Sequence, residues 1–176
     1  MTRIAIPTAL FGLIEFDSSE GMWESDARFT VGDATVTTRI SSLENAVTEA
    51  NASILRTYLD TIPNMYRKCW DRIAATYTTD PVIVDFINDQ RAEIYPDDLV
   101  DYFAVSCVDE ITPEKFLEKI RLRAIWFSLP EDVNTGDDTP RLNCCFDFGL
   151  DSDFSDEILA CRFTENRELT GISHES

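Results

Sequence analysis

Ala34, Val36, Thr38 and Ile40 alternate with Thr35, Thr37 and Arg39, the two-residue period of a strand with one wet face. Residues 23–31 precede this strand across a Gly32-Asp33 turn. Residues 9–16 form a further apolar, β-rich run that ends at a Ser18-Ser19-Glu20-Gly21 turn. These three segments predict an N-terminal β-meander over 1–40. The period then changes. Leu43, Ala46, Val47, Ala50, Ile54, Tyr58 and Ile62 recur at three- and four-residue spacing. Ser41 and Glu44 precede them with the spacing of a capping box, so a helix is predicted over 42–62. Pro63 fits the first position of a second helix, whose stripe is Met65, Tyr66, Cys69, Trp70, Ile73 and Tyr77.

Short helices are predicted after Asp80-Pro81, over 95–103 with Pro96 at its start, and after Thr112-Pro113. Strand patterning returns over 121–129, with Arg121 and Arg123 on the face of Ile125 and Phe127. A polar loop at 131–140 leads to a partner strand over 141–150, with Leu142, Cys144, Phe146 and Phe148 on one face. Residues 158–163 and 168–172 make the closing hairpin. The predicted fold class is α+β, a largely antiparallel sheet with a central set of helices packed on it. Residues 1–176 are expected to form one domain: meander 1–40, helices 41–120, hairpins 121–176.

Charge adds a second layer. The 176 residues carry a net charge of −18, and residues 97–176 alone hold 19 acids against 7 bases. With 44% apolar residues and 19 aromatics the chain nonetheless has the composition of a folded domain. Bare nucleic acid is an unsuitable partner, because phosphate contacts need clustered Lys and Arg. No apolar run is long enough to cross a membrane, and residues 1–16 read as strand and not as a signal peptide. The five cysteines contain no CxxC pair and are expected to be free thiols of a cytoplasmic protein.

Few residues point to bond chemistry. The single histidine, His174, sits in a terminal segment expected to fray, which argues against nucleophilic catalysis and against zinc. Phosphate-binding glycine loops and HExxH are missing, so no enzyme activity and no cofactor are expected. The loop Asp151-Ser152-Asp153-Phe154-Ser155-Asp156-Glu157 offers an alternative reading as a calcium or other divalent-metal site. It lacks the Gly and Glu that an EF-hand needs, with Asp156 and Arg162 in those places. A third reading is a structural or regulatory subunit pairing through an exposed strand edge.

Several features recur together: Leu10-Phe11-Gly12-Leu13-Ile14-Glu15-Phe16 with Trp23, the Gly32 turn, and the helical pair with Tyr66 and Trp70. Ile111-Thr112-Pro113-Glu114-Lys115-Phe116 leading into 122–127, the closing hairpin and the terminal Glu175-Ser176 complete the layout. It resembles small bacterial proteins of unknown function whose relatives are often assigned as immunity proteins to polymorphic toxins. The resemblance implies an inhibitor that works by binding. The surplus of acids fits a basic partner such as a nuclease toxin, steered electrostatically. The acids expected to meet that partner are Asp132, Asp137, Asp138, Asp151, Asp153, Asp156 and Glu157.

Overall fold

Residues 23–31, 34–43, 121–128, 143–149, 158–163 and 169–175 form one six-stranded sheet in that order, and among the described strands only the 34–43 and 121–128 pair of this sheet is parallel. The computed structural model describes residues 3–17, 23–43, 49–128, 143–151, 153–164 and 166–176. The sheet comprises β3 (Trp23–Val31), β4 (Ala34–Leu43), β5 (Arg121–Ser128), β6 (Asn143–Gly149), β7 (Ile158–Phe163) and β8 (Leu169–Glu175). The expected α+β class is what the fold shows. The turn at 18–21, Glu44, Leu142 and the loop at 131–140 lie outside the described residues.

The three-stranded meander divides in two. β1 (Arg3–Thr8) and β2 (Gly12–Asp17) pair with each other as a separate two-stranded sheet, while β3 pairs with β4. Local geometry drives the first hairpin. Gly12 takes φ +69°, and the Thr8 hydroxyl accepts from Phe11 N–H and donates to the Gly12 carbonyl, both at 3.0 Å. The first hairpin is fastened to the helical layer by Ala9 N–H donating to Asp60 at 2.7 Å.

Parallel neighbours need a crossover, and the helices among the described residues all occupy the one between β4 and β5. They are α1 (Glu49–Thr76), α2 (Pro81–Glu93), α3 (Pro96–Phe103) and α4 (Pro113–Lys119), with a 3-10 turn at Val108–Glu110. The last three begin where the sequence predicts. Asp80 caps α2, its carboxylate accepting from Val82 N–H at 3.1 Å, and a proline opens each helix.

Pro63 does not open a helix; it lies inside α1. An interior proline costs about 3 kcal/mol. The buried stripe Leu55, Tyr58, Leu59, Ile62, Met65, Cys69 and Ile73 runs through it without a phase break. Each such side chain contributes about 2 kcal/mol on burial, so the stripe offsets the cost several times over. The capping box also fails. Ser41 is a strand residue paired with Trp126, fully buried, and its hydroxyl has no partner among the described residues.

One face of the sheet takes the helices. Ile40, Ile125, Phe146, Cys161 and Ile172 are successive register partners across five strands on that face. Tyr58 packs edge-on to Phe127, Tyr66 to Phe29, and Phe86 of α2 to His174. Cys69, Cys144 and Cys161 are buried and free, and burial pushes the thiols of Cys69 and Cys144 up, whereas Cys107 is exposed. No helix among the described residues is long and apolar enough to cross a membrane.

The opposite face carries the row Asp26, Arg39, Ala124, Asp147, Ala160 and Ser173. A β-bulge between Leu122 and Ala124 corrects the expected alternation in β5. Leu122 pairs with Phe148 and joins the face of Ile125 and Phe127. Arg123 passes over Gly149, where a Cβ would come within 2.9 Å of its Cδ. The Asp147 side chain is buried on this second face and accepts from Trp126 Nε1 and from the Cys145 thiol.

Burial holds the Asp147 carboxyl above the usual Asp range; its two hydrogen bonds and Arg123 oppose that rise. The folded chain therefore binds this proton more tightly than the unfolded chain. Stability falls as pH rises from the ordinary Asp range through the raised value. Asp147→Asn is expected to abolish that fall and to leave the protein at least as stable at neutral pH. Unfolding midpoints measured from pH 4 to 8 check it, and an unchanged slope in the variant contradicts it.

Candidate functional site

The residue before a proline is pushed out of the helical region. Tyr95 therefore adopts φ −57°, ψ 138° between α2 and α3, and the residue is 78% exposed. Asp98, Asp101 and Tyr102 follow at helical spacing and share one face of α3. The loop between β6 and β7 stands opposite them. It is folded by its own Asp residue: the Asp151 carboxylate accepts from Asp153 N–H at 3.2 Å, and its carbonyl accepts from Phe154 N–H at 2.9 Å.

Two contacts bind this loop to α3. Phe154 stacks on Tyr102 at 4.2 Å and 17°, and Asp151 N–H donates to the Tyr102 hydroxyl at 3.2 Å. A third fixes the loop to the sheet, where Arg123 Nη1 donates to the Ser155 carbonyl at 2.9 Å.

Between α3 and the loop lies a cleft of about 700 Å³. Glu93, Asp98, Asp101, Asp153 and Asp156 line it together with Tyr95, Tyr102, Phe154 and Ile94, and among the described residues no Lys or Arg lines it. Five carboxylates around aromatic rings make a concentrated negative field over polarisable faces, a surface suited to ammonium and guanidinium groups. The Tyr102 ring already carries one cation, the Lys119 ammonium 4.9 Å from its centre.

The expected site residues part ways here. Asp153 and Asp156 line the cleft, and Asp151 is exposed beside it. Glu157 faces inward, 6% exposed. Asp132, Asp137 and Asp138 lie outside the described residues. Glu93, Asp98, Asp101 and Tyr95 were not among the expected acids and anchors. Their signal is an aromatic-proline junction followed by acids one helical turn apart.

The acids of 151–157 do not converge on one point, because Asp151 closes its own turn and Glu157 points inward. Among the described residues no group of three His, Cys, Asp or Glu is arranged to hold a metal.

No family model, curated protein or solved structure matches the chain.

His174 departs most from expectation. β8 continues to Glu175, so His174 is a strand residue paired with Leu159 and not a frayed end. Its Nε2 meets the Glu157 carboxylate and its Nδ1 lies 3.5 Å from Asp89 of α2. The two acids flank the cleft in sequence: Asp89 lies four residues before Glu93, and Glu157 follows Asp156. His174 thus ties the α2 wall to the loop wall.

Removing the imidazole leaves the Glu157 carboxylate buried without its partner. His174→Ala is expected to cost about 2 kcal/mol, and Glu157→Gln in that background to recover part of it. Urea unfolding of the parent and the two variants measures both effects. A loss within error for His174→Ala contradicts the strut.

Proposed function

We propose that the chain is a binding protein that receives a basic protein partner in the cleft between α3 and the 151–156 loop, as an immunity-type inhibitor of a basic toxin does. The observation that carries this reading is the set of five carboxylates around the exposed Tyr95 ring. Tyrosine is favoured at the energetic centre of interfaces, because it buries a large ring with few rotatable bonds. Surrounding acids accelerate the approach of a positive surface and select against acidic competitors.

The rest of the chain is compatible with this role. A net charge of −18 costs self-repulsion in the compact state, a cost that a positive partner relieves on binding. A basic nuclease must hold phosphates with Lys and Arg, and a protein that presents carboxylates at that site blocks it without any chemistry of its own. The free thiols fit a reducing compartment, and the cytoplasm is the proposed place of action.

The test pairs the purified chain with the basic proteins encoded beside its gene and follows association by stopped flow over a salt series. Association is expected to slow steeply as salt rises. Tyr95→Ala is expected to weaken the complex by roughly 2 kcal/mol, and Asp98→Asn with Asp153→Asn to slow association. Failure of every such protein to bind, or binding indifferent to both salt and the cleft variants, contradicts the proposal.

A further inference from the structure

The sheet face away from the helices carries a second cavity, of about 500 Å³, within the range of small-molecule sites. Its walls come from β3 to β7 and include Arg123, Ala124, Trp126, Asp147, Asp156 and Ile158. Asp26 and Arg39, directly opposite each other in the β3–β4 ladder, also line it.

Two of these residues are placed at a cost. Asp147 is 7% exposed, and its carboxylate receives only an indole N–H and a thiol. Arg123 is partly buried and spends Nη1 on the carbonyls of Ser155 and Glu157. Neither forms an ion pair among the described residues, although Arg123 is near enough to draw the Asp147 carboxyl down. Buried charges are ordinarily paired, since desolvation without a partner is expensive.

A simple cation entering here gains Asp147 but meets Arg123, and a simple anion gains Arg123 but meets Asp147. A small molecule that bears both charges satisfies both residues. Trp126, Ile158 and Ala124 supply an apolar wall between them. We propose that this cavity binds a free α-amino acid, its ammonium on Asp147, its carboxylate on Arg123 and an apolar side chain against Trp126 and Ile158. The site is separate from the acidic cleft, with Asp156 as their common wall, and stands whether or not that cleft takes a protein.

Trp126 is the internal reporter. The full chain is titrated with L-leucine and L-phenylalanine at millimolar concentrations, with isoamylamine and isocaproate as the amine-only and carboxylate-only analogues. Tryptophan fluorescence and the thermal unfolding midpoint are both read. At least one amino acid is expected to change the fluorescence and raise the midpoint, since binding to the native state stabilises it. Neither analogue is expected to match it. Asp147→Asn and Arg123→Gln are each expected to weaken binding about tenfold or more, whereas Tyr95→Ala leaves it unchanged. No response to either amino acid overturns the proposal, as does an analogue that binds equally well or an Asp147→Asn protein that binds like the parent.

Discussion

The parallel pairing of β4 with β5 organises the molecule. Antiparallel strands can be joined by a tight turn, but a parallel pair demands that the chain leave one end of the sheet and re-enter at the other. Residues 49–119 make that journey as four helices over one face. The consequence is an asymmetric sheet, with Ile40, Ile125, Phe146 and Cys161 sealed beneath α1 and α2. Asp147, Trp126 and Arg39 stand on the side facing away from these helices.

The same crossover creates the acidic cleft. It brings the exposed junction of α2 and α3 beside the β6–β7 loop, which is held by the Tyr102–Phe154 stack and by Arg123 reaching across Gly149. The bulge in β5 is what supplies Arg123 to that face. Here a local irregularity of backbone positions one wall of each cavity. His174 serves the same end from β8, linking an acid of α2 to an acid of the loop. Negative charge is thereby concentrated on fixed elements.

What could be read in the sequence follows from how local each cause is. Asp80-Pro81, Tyr95-Pro96 and Thr112-Pro113 mark helix starts correctly, because a proline's fixed φ and missing N–H act within one turn. The same residue misleads at Pro63, where the burial of Ile62 and Met65 outweighs the broken hydrogen bond. Ser41 has the spacing of a helix cap, yet its partner is Trp126, far along the chain. A β-rich, apolar run marked residues 9–16 as strand, but residues 9–11 are the turn, and the strand Gly12–Asp17 pairs with Arg3–Thr8 and not with β3. The charge surplus singled out Asp153 and Asp156, and the fold sets both in the wall of the cleft. That surplus could not reveal Asp98 or Asp101, which join them only through the fold, nor that Glu157 turns inward to His174.

The central claim is that the cleft's carboxylates and aromatic rings form the contact surface for a positive partner. Amide chemical-shift mapping of the isotopically labelled chain, titrated with an arginine-rich peptide and then with the basic partner itself, examines it most directly. The account predicts that perturbed amides cluster at residues 93–102 and 153–156 and that added salt reverses the peptide's effect. Perturbations centred on the β1–β2 hairpin or on the β3 edge, with residues 93–102 silent, would contradict it.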